Sequence, residues 1–156
     1  MNTVDSKNRL SIPADYRSAV EGRSGSRDLR LAPSRHAPCI IGYDKTYFTE
    51  LKAQHDARFG NESSRERDRD ITALFSGVVP LTIDDAGRIV LPTPLKRIRK
   101  IGAHVWFVGG GDFFEMWDPW VYLAREDVDP FNVELLRLEL EGRSLSESGP
   151  PLPVAK

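Results

Sequence analysis

The sequence is poor in the residue types that build several common kinds of functional site. It has one cysteine and three histidines among 156 residues, so a disulfide framework within one chain and a thiolate metal cluster are both excluded. No apolar run approaches the roughly 18 residues that a membrane-spanning helix needs, and no basic-then-apolar signal peptide opens the chain. The remaining composition, 40% hydrophobic and 29% charged, is typical of a soluble globular protein of one ordinary domain or two small ones. We therefore expect a cytoplasmic protein that makes no contact with a membrane.

Catalytic motifs are equally scarce. The glycine-rich stretch 109–112 lacks the following Gly-Lys-Ser/Thr of a phosphate-binding loop and is better explained as a hairpin turn. His36, His55 and His104 have no metal-ligand spacing among themselves or with Cys39. Cys39 opens the apolar stretch CIIGY, which predicts a buried, inert thiol. We expect no enzyme activity, no catalytic residue, no metal, no cofactor and no small-molecule substrate.

The formal net charge of −1 conceals an uneven distribution of charge. From Met1 to Arg35 the chain carries seven basic and four acidic residues, whereas from Asp112 to the end it carries ten acidic and four basic residues. A nearly neutral total can therefore hold a positive face and a negative C-terminal part.

One short phrase occurs twice. VDSKNRLSIP (4–13) resembles IDDAGRIVLP (83–92), and four of the eleven positions from Thr3 to Pro13 are identical in the second copy. Further along, CIIGYDKTYF (39–48) aligns with FFEMWDPWVY (113–122), so each unit is interpreted as a hairpin, a short helix, a second hairpin and a longer helix. A unit of about 50 residues buries too little surface to be stable alone. The two units should therefore share one core, by packing or by exchanging hairpins.

The remaining segments suggest helices between and after the units. We expect a helix over Thr46–Phe59 with Tyr47, Phe48 and Leu51 on one face, a helix opened by Asp118-Pro119, and a last helix over Phe131–Leu140. Segment 63–77 predicts a helix that buries Ile71, Leu74 and Phe75, and the threefold spacing of Leu95, Ile98 and Ile101 predicts one or two helical turns. Residues 146–156 are expected to form a loose tail.

The repeated phrase is first of all a turn. Asp84 to Gly87 fits a type I turn followed by a left-handed residue, which makes a hairpin with a bulge. Arg88 lies just past this turn, where it can pair with Asp84. Asn8 replaces the glycine in the first copy, and asparagine enters the left-handed region more easily than most residues. On this interpretation the Asn8-for-Gly87 exchange needs no chemistry beyond positive φ.

The two phrases, together with FVGGGDFFEMWDP (107–119), resemble the MraZ family of bacterial regulators over roughly Thr3 to Leu140. The resemblance implies a mainly β fold with flanking helices (α+β), a pseudo-twofold double AbrB-like swapped-hairpin β-barrel. It divides the chain into a first AbrB-like repeat (1–50), a helical connector (51–76), a second AbrB-like repeat (77–124), and a C-terminal helix with a flexible tail (125–156). It also implies a ring-shaped homo-oligomer, associated with the nucleoid, that binds promoter repeats of double-stranded DNA upstream of the division and cell-wall gene cluster.

The DNA contacts implied by the resemblance fall on the two Asp-x-x-x-Arg loops. We expect Lys7, Arg9 and Arg88 to contact DNA, and the structural residues of the motif to be Asp5, Asn8, Asp84 and Gly87. The first loop offers Ser6-Lys7 where the second has Asp85-Ala86, so the first should hold phosphate or a base edge better. The first unit departs from the second because only Met1 and Asn2 precede Thr3, which predicts a largely missing first strand or additional residues upstream.

Other surfaces leave alternatives open. Lys96, Arg97, Arg99 and Lys100 favour a solvated helix face, and the alternating charges of 65–70 favour a solvated helix face or a subunit contact. The alternative to a DNA-binding regulator is a ring-forming interaction module without specific DNA binding. Its subunit contacts would include apolar side chains such as Trp106, Trp117 and Trp120, although at least two of these are expected in the core.

Overall fold

A computed structural model of the chain describes residues 1–150, so the predicted loose tail lies outside the described residues from 151 onward. The strands are β1 (Asn2–Thr3), β2 (Arg9–Ser11), β3 (Asp28–Pro33), β4 (Ile40–Asp44), β5 (Val79–Thr82), β6 (Arg88–Val90), β7 (His104–Gly109) and β8 (Phe114–Trp117). The helices are α1 (Ala14–Ser24), α2 (Lys45–Phe59), α3 (Arg65–Phe75), α4 (Thr93–Ile98), α5 (Pro119–Leu123) and α6 (Pro130–Gly142).

The two repeats exchange their first hairpins. A six-stranded antiparallel sheet has the order β1-β7-β8-β4-β3-β5, and β2 pairs with β6 in a separate two-stranded ribbon. The first strand of each repeat therefore pairs with the other repeat: β1 lies on β7, and β5 lies on β3. The sheet and ribbon form a curled half-barrel with flanking helices, which confirms the α+β, swapped-hairpin fold.

One hydrophobic core serves both repeats, as their small size requires. Val4, Leu10 and Ile12 of the first phrase pack in the same cluster as Ile83, Ile89 and Leu91 of the second. All six side chains are at most 6% exposed. Burying one such side chain contributes about 1.5–3 kcal/mol, so neither hairpin can leave the other repeat without exposing most of its apolar face.

A second core lies on the opposite face of β7. Val105 and Phe107 face the shared core, whereas Trp106 packs with Trp117 and Tyr122 beneath α5 and α6. This alternation is what a strand covered on both faces requires. Trp106 and Trp117 are buried and Trp120 is half-buried, which confirms that at least two of the three tryptophans are core residues.

Matching aspartates begin the helices that follow the second hairpin of each repeat. The Asp44 carboxylate accepts a hydrogen bond from Tyr47 N at 2.8 Å and caps α2. Asp118 accepts from Trp120 N at 3.0 Å and caps α5, which has Pro119 in its first turn. The predicted Asp-Pro helix start is confirmed, and the Asp44–Asp118 alignment corresponds to equivalent structural positions.

Two predicted apolar stripes differ from the structure. In α4, Leu95 is buried but Ile98 is 63% exposed, because the helix ends at Ile98 and Lys100 takes φ +55°. In α3, the predicted stripe of Ile71, Leu74 and Phe75 is only half-buried. The buried residue of α3 is Asp70, an acid within the segment 65–70 that the sequence assigns to a solvated helix face or a subunit contact.

The first strand of the first repeat is short but formed. β1 has two residues, which pair with Val105 and His104. Val4 N donates to Ala103 O at 2.8 Å, which extends the contact by one residue. The equivalent β5 has four residues, so the two repeats do differ at the point where the sequence predicted a difference.

Candidate nucleic-acid interface

The first Asp-x-x-x-Arg loop is a turn closed around one carboxylate. Asp5 Oδ1 accepts hydrogen bonds from Lys7 N at 2.8 Å and Arg9 N at 2.9 Å, while Asn8 N donates to Asp5 O at 3.0 Å. Arg9 Nε donates to Asp5 Oδ2 at 2.6 Å, which fixes the arginine beside the turn. Asn8 has φ +59°, as predicted.

The second loop has the same turn geometry, but its arginine, Arg88, lies farther from the aspartate. Asp84 Oδ1 accepts from Ala86 N at 2.9 Å and Arg88 N at 2.8 Å, and Gly87 has φ +78°. Arg88 Nε lies 3.4 Å from Asp84 Oδ2, which is ion-pair distance without hydrogen-bond geometry. The second arginine is therefore held less firmly than Arg9.

Equivalent backbone N–H groups lower the pKa of the aspartate in each loop. The N–H of Arg9, assisted by its side chain and by Lys7 N, lowers the pKa of Asp5 to about 2. The N–H of Arg88 lowers the pKa of Asp84, with help from the charge of Arg88 and from Ala86 N. Hydrogen bonds to a carboxylate favour its charged form, so both aspartates are ionised and both loops are closed at neutral pH.

The ribbon of β2 and β6 brings the two arginines onto one face. Arg9 lies opposite Val90 and Ser11 lies opposite Arg88. Directly paired residues of an antiparallel ribbon share a face, as do residues two apart, so these four side chains lie together. Val90 and Ser11 are exposed, the arginine side chains are about 40% exposed, and Leu10 and Ile89 between them are buried.

Each loop also contacts a cation from the helix of the other repeat. Lys96 of α4 donates from Nζ to Asn8 Oδ1 at 3.2 Å. Arg17 of α1 lies over Gly87, where a Cβ atom would come within 2.6 Å of the Arg17 Cζ. The repeat alignment pairs Arg17 with Lys96, a signal present in the sequence, but only the exchange of hairpins reveals which loop each cation meets.

The contact between Lys96 and Asn8 changes the explanation of why the first loop has Asn8 where the second has Gly87. Asn8 Nδ2 donates to Thr93 Oγ1 at 3.3 Å, so the asparagine bridges Thr93 and Lys96. The repeat alignment places Ala14 where the second repeat has Thr93. One end of the ribbon therefore combines Asn, Thr and Lys, and the other combines Gly, Ala and Arg. Both loops need a residue with positive φ. At the first loop Lys96 bonds to an asparagine in that position, whereas at the second Arg17 leaves room only for glycine.

The prediction that Lys96 belongs to a solvated helix face is wrong. Lys96 is half-buried, whereas Arg97 and Lys100 are exposed. Arg99 Nη2 instead donates to Ser34 O at 2.9 Å, so it ties its helix to the loop after β3. The basic cluster therefore divides into one side chain that touches the first loop and three that do not.

The two ends of the ribbon differ in charge. Near the first loop lie Lys7, Arg9 and Lys96 with Asp5, and Lys7 is exposed and makes no ion pair within residues 1–150. At the second loop the exposed Asp85 is held by Arg27 Nη1 at 2.5 Å. Arg27 also pairs with Glu21 at 3.2 Å. Arg17 and Arg88 balance Asp84 and Asp85, so the second loop carries no net charge. At the first loop Lys7, Arg9 and Lys96 face Asp5 alone, which leaves two cations in excess.

Two further predictions concern parts of the molecule outside this interface. The Cys39 side chain is fully buried, and burial raises the pKa of its thiol to about 12, which confirms the predicted inert thiol. Across residues 1–150, no helix has both the length and the apolar character needed to cross a membrane.

The exchanged hairpins and paired loops define an AbrB-like swapped-hairpin protein. Relatives named transcriptional regulator MraZ include one from Rickettsia bellii, 35% identical over 118 residues that cover 76% of this chain and 77% of the relative. Another, from Beijerinckia indica subsp. indica, is 35% identical over 155 residues that cover 97% and 92%, and one from Gluconacetobacter diazotrophicus is 33% identical over 144 residues that cover 91% and 90%. No protein-family model matches the chain. The chain belongs to the MraZ family, whose named members are transcriptional regulators.

Proposed function

We propose that this protein is a sequence-specific, DNA-binding transcriptional regulator. It reads repeated promoter elements through the two Asp-x-x-x-Arg loops and acts as a ring-shaped homo-oligomer at the nucleoid in the cytoplasm. The observation that carries this proposal is the exposed ribbon face with Arg9 and Arg88 at diagonal positions. The regulator names of the relatives support the same class of function.

The dimensions of the ribbon suit the major groove. That groove of B-DNA is about 12 Å wide and admits a two-stranded β-ribbon. Diagonal residues of an antiparallel pair lie about 7–8 Å apart, so Arg9 and Arg88 can reach neighbouring base pairs. Ser11 and Val90 lie between them on the same face, where a hydroxyl and an apolar group can meet base edges or a thymine methyl.

The contact between Arg9 and Asp5 prepares the arginine for base recognition. Because Arg9 uses Nε for Asp5, both terminal nitrogens of its guanidinium are left for guanine O6 and N7, the commonest specific contact in the major groove. Lys7 beside it suits a phosphate oxygen, a contact that positions the protein without reading sequence. Lysine cannot reproduce the flat guanidinium fork, so Arg9→Lys separates charge from base recognition.

Self-association is proposed from an exposed apolar face of α6. Phe131, Leu135 and Leu138 are 69%, 38% and 63% exposed, while Leu136 and Leu140 on the other side of the helix are buried. A second copy of the chain is the occupant that the proposed ring requires. Repeating a weak loop contact around a ring raises the overall affinity for repeated DNA sites by avidity. Leu138→Glu should reduce the mass seen by analytical ultracentrifugation, whereas Leu138→Met should not.

The test begins with selection of bound DNA from a random pool, followed by mobility-shift titrations at several salt concentrations. A short repeated motif and a steep salt dependence are expected. Arg9→Ala and Arg9→Lys should both lose preference for the selected motif, and Arg9→Lys should retain most binding to random DNA. Arg88→Ala should lose less. Equal losses on selected and random DNA for Arg9→Lys would argue against base recognition.

The alternative function is an interaction ring without specific DNA binding. The apolar face of α6 would serve that role as well, so the oligomer by itself does not separate the two. Failure of the selection to enrich any sequence, with the ring intact by ultracentrifugation, would favour the alternative.

A further inference from the structure

The proposed ring requires a surface that receives the apolar face of α6. A ring of more than two copies needs a heterologous interface, in which two different surfaces of the chain meet. Packing of α6 against α6 of a second copy would be isologous, and by itself would close only a dimer. The α6 face with Phe131, Leu135 and Leu138 must therefore dock on a different part of the neighbouring copy.

A cavity of roughly 430 Å³ between the β3–β4 hairpin and helices α2 and α3 fits the apolar side chains of that face. A cavity of about 150 Å³ already holds one benzene ring, so this one has room for a phenyl ring and a leucine side chain. Its charged wall groups balance one another, Arg35 and Arg58 with Asp70 and Glu115. Its half-buried apolar wall residues include Tyr47, Leu51, Leu74 and Phe113.

A stripe of arginines leads to the mouth of this cavity. Arg65 and Arg69 lie about one turn apart on the exposed side of α3 and make no ion pair within residues 1–150. Asp68 between them is paired with Arg67 at 3.7 Å. Ala73, one turn further along, is exposed and lines both the cavity and the hollow that Arg65 and Arg69 border. Along α3, positive charge therefore comes first and the apolar opening follows it.

Helix α6 has the complementary order. Its exposed apolar side chains begin at Phe131 and end at Leu138. Glu141 follows about one turn later, exposed and without an ion pair in the described part of the chain. The helix carries three acids and one base. At about 1.5 Å per residue, Phe131 to Glu141 spans about 15 Å and Arg65 to Ala73 about 12 Å. Antiparallel packing of the two helices therefore sets apolar against apolar and acid against base.

We propose that α6 of one copy docks antiparallel to α3 of the next copy, with Phe131 in the cavity and Glu141 beside Arg65 and Arg69. The inference rests on the proposed self-association and names the surface that receives α6. It gives the charged segment 65–70 the second of the two roles that its sequence leaves open, a subunit contact. The burial of apolar side chains supplies most of the affinity, and the opposite charges set the direction of docking.

The test blocks one surface at a time on the full chain. Leu138→Glu places a charge on the α6 face, and Ala73→Glu places one at the mouth of the cavity. Sedimentation velocity should show each variant alone as a monomer and an equimolar mixture of the two as a dimer, because the mixture restores one intact pair of surfaces. Ala53→Glu is the same change at an exposed position of α2 outside the cavity wall, and it should assemble like the unaltered protein.

Charge reversal in the mixed dimer checks the direction of docking. Glu141→Arg on the Ala73→Glu chain should weaken association about 2- to 5-fold, the range of an exposed ion pair. Arg69→Glu on the Leu138→Glu chain should then restore it. If the second reversal gives no recovery, the antiparallel arrangement is wrong.

Three results would overturn the proposal while leaving the ring in place with another interface. These are a dimer formed by Ala73→Glu alone, a full ring formed by Ala73→Glu, and a mixture of the two blocked variants that does not associate. A monomeric unaltered protein would overturn the proposed ring as well. None of these measurements uses DNA, so they are independent of the selection experiment that tests DNA recognition.

Discussion

The two Asp-x-x-x-Arg loops share a backbone and differ in almost every side chain that touches it. The first loop holds its arginine by a 2.6 Å hydrogen bond, whereas the second holds its arginine by a 3.4 Å ion pair. The first presents a free Lys7, and the second presents Asp85 bound to Arg27. The two repeats keep the same turn geometry while their electrostatics differ, and under the proposed function this difference gives the first loop the larger share of DNA binding.

The largest effect is expected from making the loops alike in charge. Ser6→Asp with Lys7→Ala gives the first loop the residues of the second, and each lost phosphate contact weakens DNA binding about tenfold near 0.1 M salt. The reverse exchange, Asp85→Ser with Ala86→Lys, should strengthen binding because it adds a cation and removes an anion. Mobility shifts across a salt series measure both the affinity and the slope, which should change by about one for each phosphate contact.

Both exchanges leave the residues that close the turns in place. Circular dichroism should therefore give the same spectra for the two exchanged proteins and the original. Equal weakening by both exchanges would mean that the loops contribute through folding and not through charge, and the proposed inequality would fail.

The next largest effect concerns stability at the left-handed positions. Gly87→Ala should lower the free energy of unfolding by about 1–2 kcal/mol for the backbone alone, and by more because the new Cβ must displace the Arg17 guanidinium. Asn8→Gly should change it by less than about 1 kcal/mol, because relief of the left-handed strain at position 8 offsets the loss of the contacts with Thr93 and Lys96. Urea denaturation measures both.

The matched control is Gly111→Ala. Gly111 also has positive φ, but its added Cβ would meet open space, so it isolates the backbone cost. If Gly87→Ala and Gly111→Ala cost the same, the contact with Arg17 has no energetic weight and the second loop is only a turn.

Whether a contact could be predicted from the sequence depends on whether its residues lie close together along the chain. The turn at Asp84–Gly87, the helix start at Asp118 and the alternation of Leu10 and Ile89 with outward residues are encoded within a few positions, and all were predictable. The alignment of the repeats also anticipated a shared core. Contacts between repeats were not predictable residue by residue, because Lys96 meets Asn8 only through the exchange of hairpins.

The burial of the charged residue Asp70 was also not predicted from the sequence. Asp70 looks like one more charge in an alternating surface stretch, yet it is buried beside His55, a residue of another helix. No local pattern marks that pairing, because the distance along the chain between α2 and α3 does not reveal how the two helices pack.

A smaller effect tests the contact between the first loop and α4. In a double-mutant cycle of Asn8→Gly and Lys96→Met, the coupling free energy should be about 0.5–1.5 kcal/mol, the usual range for one hydrogen bond. Glycine at position 8 keeps the backbone unstrained, so the cycle isolates the side-chain contact. The comparison pair is Arg17→Met with Lys7→Met, which lie at opposite loops and should be additive within about 0.5 kcal/mol. A coupling near zero for Asn8 and Lys96 would remove the side-chain reason for asparagine in the first loop.

The smallest effect is the response of the two loops to acid. The pKa of Asp5 is lowered to about 2, so the charge that closes the first loop contributes stability above the unfolded-state pKa of about 3.9 and is lost as the pH falls through about 2. Asp84 shifts in the same direction, and its weaker contact with arginine should let it protonate at a higher pH than Asp5. Carboxyl ¹³C shifts followed from pH 6 to pH 1.5 measure both midpoints directly. If Asp84 titrates at or below the midpoint of Asp5, the 2.6 Å contact of Arg9 does not hold the first loop more firmly than the second, and the structural basis for giving Arg9 the larger share of DNA recognition is lost.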